Sequence, residues 1–347
     1  MKIYLANIHQ WHVPEGVSRL IMEQGHQLAG NWREVRNRDW GLGRRAARRA
    51  LQSLEQFDPD LIVYSPHRHE TAITLGLDMV KQVPTILWAL CPDYLTGWDR
   101  ERNEHEGGFL DSVREMLPYF HVNLANSVFT KELLESRVPG YTFEVCYLGI
   151  DTKGIDEAAA RKRRGERATT VLWQHRWTTD KNLPEALDIV RRLARRHPST
   201  TFYLGRKEEW DEPFWAPQSL KDYYFSVSDE LNSLSNIRYS LPFETQREYW
   251  EFIAGADIAF SCAYHDTFGI GMLEQAYAGA ACIVPNRVVY PEVHSGALVM
   301  PPSEVEAGIE SLLEDPALWA RVGTASRDNA AKYNLACTAE RLLSFFT

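Results

Sequence analysis

Short apolar runs that do not alternate with polar residues recur along this chain, each separated from the next by enough residues for a helix. In the first half they are KIYLANI, LIVYSP after Asp58-Pro59-Asp60, TILWAL after Pro84, HVNLAN, and TFEVCYL after Pro139-Gly140. A strand that is apolar at every position is buried on both faces, the environment of a parallel sheet with helices on each side. The segment from Leu42 to Phe57 puts Ala47, Ala50, Leu51 and Leu54 on one helical face and its arginines on the other. Repeated β-α units of this kind predict a doubly wound α/β domain.

The pattern breaks at residues 151–167, DTKGIDEAAARKRRGER, a charged stretch that suits a linker. A second series follows, with strands TTVLWQH, TTFYLG, NIRYSL, DIAFSCA, ACIVPN and ALVMPP and a long helical region from Ser303 to Phe346. Two domains are therefore expected, 1–150 and 151–347, with the last helix able to pack back on the first. A length of 347 residues agrees with two. The interruption KEEWDEPFWAPQSLKDYYFSVSDEL, within 207–231, is long and aromatic for a connection and is read as a functional loop. Two such domains facing a cleft bind ligands at the carboxyl ends of their strands.

Hydrophobic residues make up 44% of the chain and no apolar run approaches the roughly 18 residues that span a bilayer. Neither a disordered chain nor a membrane span is expected. The N-terminus, MKIYLANIHQWHV, meets polar residues too early for a secretory apolar region, so a cytoplasmic location is expected. Five cysteines (Cys91, Cys146, Cys262, Cys282, Cys337) are widely spaced and lack a C-x-x-C pair, which argues against a disulfide framework or structural zinc. A net charge of −9 is not that of a whole-chain nucleic-acid binder. One local cluster runs the other way: Arg33, Arg36, Arg38, Arg44, Arg45, Arg48 and Arg49, with Trp32 and Trp40. It is either the solvated face of an amphipathic helix or a surface where arginines hold phosphates and a Trp stacks on a base.

Two segments of the second series carry candidate chemistry. In AYHDTFGIGMLEQAYAG a strand ends, Asp266 follows, Gly269 allows close backbone approach and a helix begins, so that its first N–H groups offer a place for phosphate. Asp266 and Glu274 are then acceptors for sugar hydroxyls, or else an N-cap and a buried helix partner. In WQHRWTTDKN, Arg176 and Lys181 stand on a loop at a strand's carboxyl end, where Arg can grip a phosphate with two bonds and Lys adds a point charge.

Together these segments resemble GT-B nucleotide-sugar glycosyltransferases of the large retaining family 4. That family's Arg-four residues-Lys pattern matches Arg176 and Lys181, and its two acidic residues around Phe-Gly match Asp266, Phe268-Gly269 and Glu274. Tyr147-Leu148-Gly149-Ile150-Asp151 is similar to its Asn-Gly-Val-Asp signature, and PDLIVYSPHRH to its Pro-Asp-strand-His segment. WQHRWTTDKN, HDTFGIGMLEQAYAG and VVYPEV look most like the branch that mannosylates queuosine in tRNA.

The resemblance implies two Rossmann-like domains facing a cleft and metal-independent transfer, with retention, from a UDP- or GDP-linked sugar, with no cofactor beyond that donor. Arg176 and Lys181 would hold the diphosphate, Glu274 the ribose, and Asp266 with Thr267, Phe268, Gly269 and Ile270 the sugar. Gly16 is all that remains of a Gly-Gly pair expected after the first strand, and Cys91-Pro92-Asp93-Tyr94 replaces an expected His. The first acid is Asp rather than Glu and Thr267 replaces a Gly, so the donor sugar does not carry over.

On the acceptor side, His67 and His69 either position the acceptor or are structural, and Asp93 either takes a proton from the attacking hydroxyl or caps a turn. Arg36, Arg38, Trp40, Arg44 and Arg48 are the candidate contacts to a nucleic-acid acceptor, a modified base in tRNA or hydroxymethylated DNA. The alternatives are a small-molecule, glycan or lipid acceptor, a GT-B epimerase or phosphorylase, and a non-catalytic sugar-nucleotide sensor.

Overall fold

A computed structural model describes residues 1–6, 14–30, 56–64, 83–89, 114, 117–160, 168–205, 218–240 and 242–345. The chain divides into two compact units, Met1–Ile150 with Tyr333–Thr347, and Asp151–Lys332.

The first unit holds a parallel sheet of β1 (Lys2–Ala6), β2 (Gln27–Gly30), β3 (Leu61–Tyr64), β4 (Thr85–Ala89), β5 (Val122–Ala125) and β6 (Glu144–Val145), in the order β2-β1-β3-β4-β5-β6. Five of these strands are the apolar runs of the sequence. The sixth, β2, has the sequence QLAG, with no β-branched or aromatic residue to mark it, and is defined by its pairing with β1 at Ile3↔Leu28. Ile3, Ile62, Val63, Ile86 and Leu124 are at most 1% exposed and form the core.

The second sheet contains β7 (Thr170–Trp173), β8 (Thr201–Leu204), β9 (Ile237–Tyr239), β10 (Ile258–Phe260), β11 (Ala281–Pro285) and β12 (Leu298–Met300), in the order β12-β11-β10-β7-β8-β9, again all parallel. Every residue of β10 and β11 is buried, as their unbroken apolar sequences require. Asp257 Oδ2 accepts the Thr169 and Thr170 N–H groups at 3.0 and 3.1 Å, which ties the start of β7 to the start of β10. The helix Leu183–Arg196 buries Leu187, Val190 and Leu193 and is pinned to the helix Val305–Glu314 by Arg192 and Arg196, whose guanidinium groups meet the Glu306 carboxylate at 2.7 and 2.6 Å.

Two expectations need correction. The aromatic interruption is not wholly a loop: Gln218–Ser233 is a helix that buries Leu220, Tyr224, Val227 and Leu231, while residues 206–217 lie outside the described residues. The charged linker is structured at its start, where Asp151 Oδ1 accepts the Gly154 N–H at 2.9 Å and caps the helix Thr152–Ala159 of the second unit. The long C-terminal helical region is present as three helices, Val305–Glu314, Pro316–Ala330 and Leu335–Leu343, the second capped by Asp315 and the third by Asn334.

That third helix belongs to the first unit and packs on the helix Pro14–Glu23. Its approach is fixed by backbone bonds from Ile150 N to Tyr333 O at 2.9 Å and from Leu335 N to Ile150 O at 3.2 Å. Among the described residues no helix is long and apolar enough to cross a membrane.

Candidate active site

In the second sheet the chain begins at β7, adds β8 and β9 on one side, then returns to place β10 on the other. Loops leaving the carboxyl ends of β7 and β10 therefore diverge around a switch point, where open parallel sheets hold ligands. Both candidate segments lie on these two loops.

On the loop after β7, Trp177 is 1% exposed, packs its ring 5.3 Å from that of Tyr224 and donates Nε1–H to the Gly205 carbonyl at 2.8 Å. With Trp177 anchored inside, the neighbouring Arg176 side chain remains 42% exposed. A short turn, Thr179–Lys181, and Asn182 at φ 53 then lead into the helix, with Pro184 in its first turn, where an N–H is dispensable. This geometry buries Lys181. Its Nζ lies 3.2 Å from Asp180 Oδ2 and 3.1 Å from Asp266 Oδ2, and donates to the His265 carbonyl at 3.0 Å.

Asp266 collects donors from three directions. Oδ1 accepts the Gly269 N–H at 2.9 Å, while Oδ2 faces Lys181 and accepts the Tyr290 hydroxyl at 3.2 Å. Burial opposes charge on this carboxyl, but the Lys181 ammonium, followed by His175 and the Lys181 hydrogen bond, outweighs it and holds the group well below the usual carboxylate range. The N-cap of the helix is Gly269, so the N-cap reading of Asp266 does not hold: Asp266 stands in the loop before it, where one oxygen fixes the loop and the other holds the cation.

Gly269 has φ 76, and a Cβ there would lie 2.6 Å from His294 Nε2 and 3.1 Å from Tyr290 Cε1. Only glycine fits, so the helix Ile270–Tyr277 starts tight against these two rings. His294 Nε2 is 3.3 Å from the Phe268 carbonyl, a contact in which a protonated Nε2 donates. Burial lowers the pKa of His294 to about 4, and burial followed by Lys181 does the same for His175, so both rings are neutral at pH 7.

Glu274 is in a different environment. Its Oε1 accepts Trp250 Nε1–H at 2.9 Å and Gln246 Nε2–H at 3.3 Å, and the Tyr249 hydroxyl bonds the same carboxyl. Burial pushes its pKa to about 7, only partly offset by the Trp250 and Tyr249 bonds. Trp250 in turn lies against Gly154, where a Cβ would overlap its ring.

The structure therefore brings Arg176, Lys181 and Asp266 together and places Thr267, Phe268, Gly269 and Ile270 on the same loop, with Glu274 on the helix that follows. Sequence reasoning assigned no role to Asp180, Tyr290, His294 or the Gln246-Tyr249-Trp250 cage, although Asp180 and Tyr290 stand inside the segments WQHRWTTDKN and VVYPEV and the cage has the i, i+3, i+4 spacing in QREYWEFI. Gly16 lies in the helix Pro14–Glu23 of the first unit. Arg36, Arg38, Trp40, Arg44, Arg48, His67, His69 and Asp93 lie outside the described residues. Among the described residues, no group of three or more His, Cys, Asp or Glu side chains is placed to hold a metal ion.

The chain matches no protein-family model. Sucrose-phosphate synthase from Thermosynechococcus elongatus superimposes with a TM-score of 0.78 at 13% identity, over 100% of this chain and 98% of that one. An alpha,alpha-trehalose-phosphate synthase (UDP-forming) from Burkholderia vietnamiensis gives 0.73 at 11% identity, over 99% of both chains. The chain has the GT-B fold. Another solved structure that shares the GT-B likeness is Anabaena HepE in complex with UDP and glucose, with a TM-score of 0.67 at 15% identity over 99% of both chains. Identities this low carry the fold and not the chemistry. In sequence, 129 residues are 28% identical to the tRNA-queuosine alpha-mannosyltransferase of Drosophila melanogaster, a match that spans 37% of this GT-B chain and 31% of that protein.

Proposed function

We propose that the protein is a glycosyltransferase that moves a sugar from a nucleoside-diphosphate donor to an acceptor hydroxyl. The observation that carries this reading is the contact between Lys181 and Asp266 at 3.1 Å across the switch point. It sets a cation for phosphate beside an ionised acceptor for sugar hydroxyls, at the mouth of a sheet whose topology places ligands there. Solved GT-B neighbours in complex with UDP and glucose and with UDP-2-fluoro glucose support the donor class.

In this reading the bond from the anomeric carbon to the diphosphate oxygen breaks and its electron pair stays on the leaving group. The acceptor oxygen bonds the same face of that carbon and passes its proton to the departing phosphate, so configuration is retained. Arg176, Lys181 and the N–H groups at Ile270 stabilise the growing negative charge without a metal. Asp266 and the Thr267–Ile270 backbone orient the sugar, and Glu274 accepts from the ribose.

For the acceptor we propose a hydroxyl on a modified nucleobase, in tRNA or in hydroxymethylated DNA; the partial match to a tRNA-queuosine alpha-mannosyltransferase supports this. A second reading, a small sugar phosphate, is favoured by the structural neighbours named sucrose-phosphate and trehalose-phosphate synthases. The test offers UDP- and GDP-sugars with tRNA, hydroxymethylated DNA and sugar phosphates together, with and without EDTA. Label entering nucleic acid supports the first reading and label entering a sugar phosphate the second. Donor binding without any transfer leaves a sensor, and loss of transfer in EDTA refutes the metal-free mechanism.

A further inference from the structure

The cations so far assigned to the donor diphosphate are already matched by acids. Lys181 lies within 3.2 Å of both Asp180 and Asp266, and Arg176 lies 3.9 Å from the same Asp180 oxygen. Two cations thus face two carboxylates, and His175 and His294, lowered to about 4 by burial, add no positive charge at pH 7. The two carboxylates offset part of the attraction that Arg176 and Lys181 offer a phosphoryl group, so a further cation at this site would add to it.

Arg287 stands at the same sheet edge. It follows β11 directly and lies three residues before Tyr290, whose hydroxyl bonds Asp266. Its guanidinium lies over the ring of Tyr264, with Cζ 5.3 Å from the centroid, and its charge is felt at Cys262 beyond the end of β10. Tyr264 is itself fixed to the first loop, since its N–H donates to the Asp180 carbonyl at 2.8 Å. Among the described residues no carboxylate oxygen lies within 4.0 Å of Arg287. A guanidinium resting on an aromatic face keeps its in-plane N–H donors available, which is the arrangement that receives a phosphate.

The backbone beside it points the same way. Val288 is held at φ 45, a left-handed conformation costly for a β-branched side chain, of the kind that concentrates at ligand sites.

We propose that Arg287, braced by Tyr264, is a further phosphoryl-binding residue of this site and adds positive charge to that of Arg176 and Lys181, which Asp180 and Asp266 partly offset. The inference rests on the glycosyltransferase reading above. The phosphoryl group has two possible sources, the donor diphosphate and a phosphate of the acceptor, and the same variants distinguish them.

The experiment compares wild type, Arg287→Gln, Arg287→Lys and Tyr264→Ala. Each is measured by calorimetric binding of the nucleoside diphosphate and of the bare nucleoside, by acceptor KM at two salt concentrations, and by thermal melting. If the donor is the source, Arg287→Gln weakens nucleoside diphosphate binding about tenfold or more, the size of one charge-assisted contact, and leaves the nucleoside unchanged. If the acceptor is the source, diphosphate binding is unchanged while acceptor KM rises about tenfold and its salt dependence flattens. Arg287→Lys recovers part of either effect, and Tyr264→Ala shows a smaller version of the same one. Wild-type values for all four in a folded Arg287→Gln protein overturn the inference while leaving the glycosyltransferase reading standing. Absence of transfer by wild type with every donor overturns that reading instead. If Arg287→Gln does not fold, Arg287→Lys decides by the same binding ratio.

Discussion

Lys181 Nζ and Asp266 Oδ2 stand 3.1 Å apart and join the loop after β7 to the loop after β10. Because Asp180 Oδ2 is also 3.2 Å from that ammonium, Lys181 holds two nearly buried carboxylates in place. Replacing it with Met leaves both without their cation, and breaking a buried pair in this way costs about 3–5 kcal/mol. Lys181→Met should lower stability to urea by that order and abolish donor binding. Adding Asp266→Asn should restore part of the stability but none of the binding, and a double variant no more stable than Lys181→Met would contradict the pairing.

Arg176 should behave differently. Its side chain is 42% exposed, so Arg176→Ala should change urea stability by less than about 0.5 kcal/mol. Turnover should nevertheless fall about 100- to 1,000-fold, as when a donor to a developing anion is removed. Single-turnover assays beside denaturation curves check both halves.

Gly269→Ala tests the start of the helix Ile270–Tyr277. The positive φ and the clash with His294 together predict a loss of about 1–3 kcal/mol. The Asp266 Oδ1 contact to the residue 269 N–H shifts with it, so donor affinity should fall as well. Retention of wild-type melting and affinity would mean that this backbone is not as tightly held as the geometry requires.

Stability against pH should show two opposed slopes. His175 and His294 are lowered from 6.5 to about 4, so their contribution is complete above pH 6.5 and is lost as pH falls toward 4. Glu274 is raised from 4.5 to about 7, so its contribution is complete below pH 4.5 and is lost as pH rises through 7. His294→Gln should flatten the acid side and Glu274→Gln the neutral side of a plot of urea midpoint against pH. If ionised Glu274 accepts from a ribose, wild-type donor affinity should also rise through pH 7, and Glu274→Gln should remove that dependence.

The parallel sheets were legible because burial on both faces writes itself into composition: ACIVP and IAF admit nothing polar. β2 was not legible, since QLAG is a strand only by virtue of its neighbour β1. The helix Gln218–Ser233 was obscured by aromatics that looked like loop residues; Tyr224 is there to pack against Trp177. Within the site, Arg176, Lys181, Asp266 and Glu274 could be found because each sits at a strand end or helix start. Tyr290 and His294 could not, because their role depends on a turn after β11 folding onto Gly269, a tertiary contact with no local spacing to reveal it.

The bridge between Ile150 and Asn334 has a topological consequence. Because the residues flanking Asp151–Lys332 are paired with each other, the second unit is a continuous insert whose two connections leave from one place. It is the piece that can be excised as a single fragment, whereas the first unit can be made as one chain only by splicing residue 150 to residue 333. A protein shortened at Lys332 would keep the whole second sheet but strip Leu335, Leu342 and Leu343 from the first unit, so a break after the second unit would injure the unit that precedes it in sequence.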